Sequence, residues 1–90
     1  MSRTVSADLE AMIEFRSHLI RFNQLLAEEF SSIHAHWQSL GDVWDDDKYR
    51  QFGHALDEVQ PGIQRYLAAT DDHEAHLLRL IENLRRFLET

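Results

Sequence analysis

The spacing of apolar residues constrains this chain of 90 residues more than any other feature of its sequence. Apolar side chains recur every three or four positions over residues 12–40 and again over residues 49–87. This spacing places them along one face of an α-helix, and its alternation of three and four is typical of coiled-coil seams. The pattern predicts an all-α chain with a single domain over 1–90, formed by helices at 6–40 and 46–88.

The residues between the two periodic stretches predict a sharp turn at 41–45. Gly41 follows the last periodic residue of the first helix, where a glycine in the left-handed conformation commonly ends a helix. Asp45 or Asp46 can cap the second helix by accepting a hydrogen bond from one of its free N–H groups. The remaining aspartates meet the positive end of the helix dipole, so the acidic run has a structural explanation. We therefore expect an antiparallel two-helix hairpin.

Pro61 lies inside the second periodic stretch, within Gln60-Pro61-Gly62. A loop at this point would normally shift the phase of the apolar pattern, but the phase continues unchanged past the proline. The sequence therefore predicts one helix that is kinked at Pro61, because proline removes a backbone hydrogen bond and crowds the preceding turn.

Folding the chain back at the turn also predicts which residues meet across the hairpin. The register places Trp37 beside Tyr49 and Phe22 beside Ile63. Nearly every predicted pair joins two apolar residues, which is the consistency expected of a hairpin core.

Each predicted helix carries more apolar surface than one neighbouring helix can cover. A hairpin of this length also has a marginal core when it stands alone. The sequence therefore predicts a four-helix bundle made by a homodimer or by a heterodimer with a related hairpin. The residues expected to form the dimer stripe are Ile13, Ile20, Leu67, Leu78, Leu84 and Phe87.

Net charge and composition exclude several classes of partner. The formal charge of −7 disfavours nucleic acid, whose phosphates require a clustered basic face, and it disfavours anionic lipid for the same reason. No apolar run approaches the length of a membrane span, so membrane insertion is not expected. The start of the chain has no apolar signal-peptide core, which predicts a cytoplasmic protein or one secreted without a signal peptide.

Two histidines raise the question of a metal site. His73 and His76 are three positions apart on the second helix, close enough to share an ion. His73 also falls on the seam beside Thr70, where a polar layer can fix the register of a bundle, and this structural interpretation is favoured. The alternative is a metal-binding bundle that adds a carboxylate from a second copy. No catalytic motif is present, so we expect neither an enzyme nor a cofactor.

Trp44 is the aromatic residue that fits neither helical face. It lies in the turn, outside the apolar phase of both helices. One interpretation makes it a lid that packs over Leu40 and Phe52. The other makes it an exposed anchor for a partner, because tryptophan is enriched at interface hot spots.

The turn resembles that of the WXG-motif family, the small early-secreted-antigen-like proteins of type VII secretion. That family has a tryptophan, any residue and a glycine in the turn, followed by an aromatic residue about eight positions after the tryptophan. Here Trp44-Asp45-Asp46 occupies the triplet and Phe52 the aromatic position. Asp46 replaces the family glycine, and the chain has its own glycine earlier in the turn, at Gly41. The resemblance implies a turn motif and partner contact formed by Gly41, Trp44, Asp46 and Phe52.

The family's export signal, a tyrosine followed four positions later by an acidic residue, is not matched near the C-terminus. Tyr66 is followed at that distance by Thr70, and Asp71 comes one position late. The resemblance therefore implies a non-enzymatic interaction module that acts as a partner or chaperone of a larger effector, or as a secreted factor. A cytoplasmic structural dimer unrelated to secretion is the remaining alternative.

Overall fold

The computed structural model describes residues 5–89 as two α-helices in contact with each other. Helix α1 covers Val5–Leu40 and helix α2 covers Asp47–Glu89, and no strand occurs in this described part. The all-α hairpin predicted from the apolar spacing is confirmed. Helix α2 continues through Pro61 without interruption, as its unbroken phase predicted, while the kink stays a prediction.

The hairpin is much longer than it is wide, with extents of 65 × 22 × 20 Å. Its radius of gyration is 20.0 Å, whereas a compact domain of this length has about 12 Å. The chain exposes 7113 Å² of accessible surface, against about 5,500 Å² for a typical monomer of this mass. Tyr49 and Ile81 are the buried hydrophobic residues of the described part. Two helices alone therefore leave a large surplus of exposed surface.

The last turn of α1 narrows to i→i+3 hydrogen bonding, and the helix does not end at a left-handed glycine. The Gly41 N–H donates to the Gln38 carbonyl at 3.1 Å and the Val43 N–H to the Leu40 carbonyl at 3.0 Å. These i→i+3 bonds satisfy carbonyls that the helix itself leaves free. No glycine among residues 5–89 has a positive φ, so the predicted left-handed cap is wrong. Glycine is needed for space: a Cβ at Gly41 would lie 2.7 Å from the Tyr49 hydroxyl oxygen.

Helix α2 begins with one of the two predicted caps. The Asp46 Oδ1 accepts a hydrogen bond from the Tyr49 N–H at 2.9 Å, which is the N-cap geometry. Arg50 binds the flanking carboxylates, with one nitrogen 2.7 Å from Asp45 and the other 2.7 Å from Asp47. The acidic run at the turn is therefore held by local contacts.

The predicted register is confirmed beside the turn. Trp37 and Tyr49 stack with ring centroids 4.6 Å apart, as predicted. Further along the hairpin, the Phe22 ring contacts the Tyr66 ring at 6.2 Å, almost one turn further from the bend than Ile63, and the predicted pairing of Phe22 with Ile63 stays a prediction. The helices are also rotated relative to the prediction, so that the seam includes polar residues.

Polar contacts across the seam accompany that rotation. The Arg16 Nε donates to the Glu74 carbonyl at 3.0 Å, and the Asn23 amide donates to the Glu74 carboxylate at 3.4 Å. On each helix, residues that face the other helix recur at a spacing of seven positions, which is about two helical turns. We call each such series a contact line. These lines contain Arg16, Asn23, Phe30 and Trp37 on α1, and Gly53, Leu67, Glu74 and Ile81 on α2.

Candidate interaction surface

The main exposed feature of α2 is a line of residues at a constant seven-residue spacing, all of them apolar or aromatic except His73. Tyr66 and Leu80 are each 37% exposed, Val59 is 51% exposed and Phe87 is 66% exposed. A seven-residue repeat returns to nearly the same side of a helix, so these residues form one stripe. The complete line is Phe52, Val59, Tyr66, His73, Leu80 and Phe87.

Helix α1 contributes a second exposed line beside the first. Phe15 is 57% exposed and Phe22 is 49% exposed. The Phe22 ring meets the Tyr66 ring edge-to-face at an angle of 87°, and this contact joins the two lines. We call the joined surface the apolar face; it consists of the α2 line together with Phe15, Phe22, Ile33 and Leu40.

The heptad positions of α2 show how this face relates to the core. One set of positions (Tyr49, Leu56 and their heptad equivalents) points between the helices, and a second set (Gly53, Leu67 and equivalents) packs on α1. The apolar face is a third set that neighbours the first. A helix whose apolar surface extends beyond the positions that contact one neighbour is typical of a bundle in which it has more than one helical neighbour.

An aromatic cluster closes the hairpin at the turn. The Trp37 indole Nε1 donates to the Tyr49 carbonyl at 3.0 Å, and the Tyr49 hydroxyl donates to the Trp37 carbonyl at 2.7 Å. Gly53 provides the space for the indole, because a Cβ there would lie 2.2 Å from the Trp37 ring. These contacts join the two helices beside the turn.

Trp44 lies at the edge of this cluster. Its ring approaches Tyr49 edge-on, with centroids 5.4 Å apart, and 41% of the residue is exposed. Its main-chain N–H also donates to the Leu40 carbonyl at 2.8 Å, so Trp44 is held in the turn while part of the residue remains open to a partner. Its role as an anchor stays a prediction.

Asp46 connects the turn to the start of α2 through its carboxylate. The N–H of Tyr49, followed by the Trp44 side chain, lowers the pKa of the Asp46 carboxyl below its ordinary value because both stabilise the charged form. A glycine at this position has no side chain to accept these hydrogen bonds. The aspartate therefore links Trp44 to the start of α2.

The residues predicted to form the dimer stripe differ in exposure. Leu78 and Phe87 are exposed, whereas the other members are half-buried beside the seam. The half-buried members are Ile13, Ile20, Leu67 and Leu84. Whether any of them contacts a second copy stays a prediction.

Both candidate metal-binding histidines are exposed, His73 within the apolar face and His76 beside it. The predicted seam position is therefore wrong for His73, whereas Thr70 is buried. His73 and His76 line a groove of about 340 Å³ with Phe15 and Tyr66. Within residues 5–89, no group of three or more histidine, cysteine or acidic side chains is placed to hold a metal ion. The metal alternative therefore requires ligands from a second copy.

Sequence reasoning missed the polar part of the seam and the role of Gly53. Arg16, Asn23 and Glu74 were not recognised because apolar spacing was the only criterion. One signal was present: residues 16, 23, 30 and 37 follow a seven-residue spacing that ends in two aromatic residues. The apolar pattern of α1 contains two consecutive steps of four, from Phe22 through Leu26 to Phe30, where it changes from the line of Phe15 and Phe22 to that of Phe30 and Trp37.

Comparison with protein families, with curated proteins and with solved structures finds no match to this chain. Within the described residues, neither helix combines the length and the hydropathy that are needed to cross a membrane.

Proposed function

We propose that this chain is a non-enzymatic protein-interaction module whose apolar face packs against a second helical hairpin to form a four-helix bundle. The second hairpin is another copy of the chain or a related one. The observation that carries the proposal is the exposed heptad line from Phe52 to Phe87 on α2. A regular apolar stripe of this length is the surface that helices bury when they form a bundle.

The amount of exposed surface supports the same proposal. The hairpin exposes roughly 1,600 Å² more than a typical monomer of its mass. A standard protein interface buries about 800 Å² on each partner. One bundle interface would therefore remove a large part of this surplus.

The resemblance of the turn to WXG-motif proteins supports a more specific setting, in type VII-like secretion or the escort of a larger effector. In this setting Trp44 is an aromatic anchor at the end of the bundle, with Tyr49 behind its ring. The role is that of a partner or chaperone, because the family's acidic residue four positions after a tyrosine is replaced here by Thr70.

The experiment is light scattering on a sizing column with the purified chain, compared with two variants. Val59→Glu places a charge on the apolar face, at a side chain that is 51% exposed within one chain. We expect the wild type to have twice the monomer mass of 10.6 kDa and Val59→Glu to be monomeric and still helical. The control Gln51→Glu adds the same charge at an exposed position outside the apolar face and should remain dimeric.

A poorly helical wild-type monomer would direct the test to co-expression with a related hairpin, where the same Val59→Glu variant should fail to form the complex. A stable monomer whose melting and partner binding are unchanged by Val59→Glu would overturn the proposal.

A further inference from the structure

A line of charged residues runs along α2 on the side of the apolar face that is opposite the seam. Its members recur every seven residues, which keeps them on one side of the helix. We call this series the charge line; it consists of Glu58, Arg65, Asp72, Arg79 and Arg86, and all of them are exposed. The first four members alternate in sign along the helix, from acidic to basic to acidic to basic.

The alternating charges are not used within their own chain. None of the four forms an ion pair within residues 5–89. On a helix, a charge pairs with residues three or four positions away, but Arg65 has no acidic residue and Asp72 no lysine or arginine at these positions. The residues found there are Pro61, Gly62, Ala68 and Ala69 around Arg65, and Ala68, Ala69, Ala75 and His76 around Asp72. Such charges at the edge of an apolar stripe are typical of positions that form ion pairs with a second helix.

The alternation fits a second copy of the chain whose α2 runs antiparallel to the first. A twofold axis that relates two antiparallel helices places the same edge of both helices side by side. When Arg65 lies opposite Asp72 of the second copy, the same register places Glu58 opposite Arg79 of the second copy. Because of the symmetry each pair occurs twice, so that oppositely charged pairs follow one another along this edge.

The same charges disfavour the neighbouring registers. A shift by one heptad in one direction places Arg65 opposite Arg79 of the second copy and brings the two Asp72 carboxylates together. A shift in the other direction brings the two Arg65 side chains together and places Glu58 opposite Asp72 of the second copy. Like charges that face each other across an interface are unfavourable, so the charge line selects one antiparallel register.

The length of α2 supports this register independently of charge. Helix α2 covers Asp47–Glu89, so its middle residue is Ala68. The register set by the charge pairs places the twofold axis between Ala68 and Ala69. The two helices then overlap over nearly their whole length, which gives the apolar line of each copy its longest possible contact.

A parallel pair does not offer the same contacts. In parallel helices the charge line of one copy would face the seam side of the other helix. That side carries Leu56 and Ile63, which are half-buried beside α1. The charges would then have no partner, so a parallel arrangement leaves the alternation without a role.

We propose that the partner of this chain is a second copy, bound with its α2 antiparallel and with Arg65 opposite Asp72 of the second copy. This inference rests on the proposed packing of the apolar face, and it adds the identity of the partner and the register. The apolar face supplies most of the affinity, because ion pairs between exposed side chains contribute little. The charge line determines which partner binds and in which orientation.

The test is charge reversal in the full chain, measured by sedimentation equilibrium at low salt. Arg65→Glu makes both central positions of the charge line acidic, and Asp72→Arg makes both basic. Each variant alone collects like charges at the centre of the dimer, so we expect its dissociation constant to rise by about tenfold while the chain stays helical. The rise should shrink in about 1 M salt, because the Debye length there is about 3 Å.

An equimolar mixture of the two variants provides the decisive measurement. A mixed dimer pairs an acidic with a basic side chain at both central positions, so the mixture should regain the dissociation constant of the wild type. Native mass spectrometry identifies the mixed dimer, since the two variants differ in mass. Rescue by mixing cannot come from contacts within one chain, because each chain keeps its own unfavourable pair of charges.

Two control variants separate register from net charge. Asp71→Arg reverses an exposed carboxylate next to Asp72 that lies outside the charge line, and Arg85→Glu reverses an exposed arginine outside it. Both should dimerise as the wild type does. Controls that weaken the dimer as strongly as Arg65→Glu and Asp72→Arg would overturn the inference, because net charge would then explain the effect.

Two further results would overturn the inference and leave the proposed function standing. A mixture that dissociates as the single variants do, while Val59→Glu still disrupts the wild-type dimer, would refute the antiparallel register alone. A wild-type chain that is monomeric and binds only a related hairpin would refute the second copy as the partner.

Discussion

Trp37 and Tyr49 bind each other in three ways across the turn. Their rings stack at 4.6 Å with an angle of 14°, the indole nitrogen donates to the Tyr49 carbonyl, and the tyrosine hydroxyl donates to the Trp37 carbonyl. The two hydrogen bonds are reciprocal, so each residue fixes the backbone of the other helix. This pair therefore sets the distance between α1 and α2 at the closed end of the hairpin.

Removing the tyrosine hydroxyl tests this arrangement. Tyr49→Phe keeps the ring stack but leaves the Trp37 carbonyl without its donor at 2.7 Å. We expect the free energy of unfolding to fall by about 1 kcal/mol, the usual net value of such a bond. Thermal and urea unfolding measure this change. Tyr66→Phe is the control, because no hydrogen bond of that hydroxyl contributes to the turn, and equal losses in both variants would contradict the assigned role.

Gly53→Ala tests the close approach of the second helix to the indole. The added Cβ would lie 2.2 Å from the Trp37 ring, so the ring or the helix must shift. Overpacking of this kind costs about 1–3 kcal/mol. Replacing glycine by alanine in a helix gains about 1 kcal/mol, and an overpacking cost in the upper part of its range exceeds this gain. We expect a lower melting temperature and an altered near-ultraviolet circular dichroism signal from Trp37.

Gly62→Ala is the matched control for that substitution. Its Cβ would meet only an Arg65 nitrogen at 3.9 Å, an ordinary contact distance. The variant should raise stability by about 0.5–1 kcal/mol through helix propensity alone. If both alanine variants are stabilised, the close packing of Gly53 on Trp37 is refuted.

These two glycines also show what apolar spacing can predict and what it cannot. The spacing identified both helices, the turn and the continuity through Pro61, because each depends on local periodicity. It could not distinguish Gly53 from Gly62, since the difference is the position of Trp37 on the other helix.

For a similar reason, the rotation of the helices could not be predicted from the hydrophobic pattern. Phe22 and Asn23 are neighbours in sequence, and a pattern that ranks residues by hydrophobicity assigns Phe22 to the core. The structure instead buries Asn23 and exposes 49% of Phe22. The buried Asn23 side chain donates a hydrogen bond to Glu74, which is 51 residues away in the sequence. This contact cannot be inferred from either segment alone.

The lowered pKa of the Asp46 carboxyl predicts how the stability of the hairpin depends on pH. Hydrogen bonds from the Tyr49 N–H and then from Trp44 lower the pKa of its carboxyl in the folded chain. A carboxyl with a lowered folded pKa contributes stability that is complete above the unfolded pKa and is lost as pH falls through the folded pKa. The melting temperature of the wild type should therefore exceed that of Asp46→Ala at neutral pH, and the difference should shrink in acid.

Asp46→Asn separates the cap from the charge. Asparagine also caps helices well but does not titrate, so this variant should retain most of the stability at neutral pH and lose less on acidification. Asp42→Asn removes a neighbouring charge without removing the cap. A difference between wild type and Asp46→Ala that stays constant from neutral to acidic pH would show that the charge has no part in the cap.

Trp44→Ala tests the anchor interpretation. The ring contacts Tyr49 on one side and 41% of the residue is exposed, so the fold should survive with a small change in melting temperature. Truncation of an interface hot spot costs over about 1 kcal/mol, so we expect the dissociation constant of the bundle to rise by about tenfold. Sedimentation equilibrium measures this constant. An unchanged constant would assign Trp44 to the packing of the turn alone.

Asn23→Leu should make the hairpin more stable. The substitution replaces a buried amide, whose oxygen has no donor, by an apolar side chain of similar size. A buried unsatisfied group costs about 1–3 kcal/mol, and the bond to Glu74 that is lost is long at 3.4 Å. We expect a higher urea midpoint with an unchanged slope. Asn83→Leu, at an exposed position of α2, is the control and should change the midpoint little. A lower midpoint for Asn23→Leu would mean that the amide stabilises the seam.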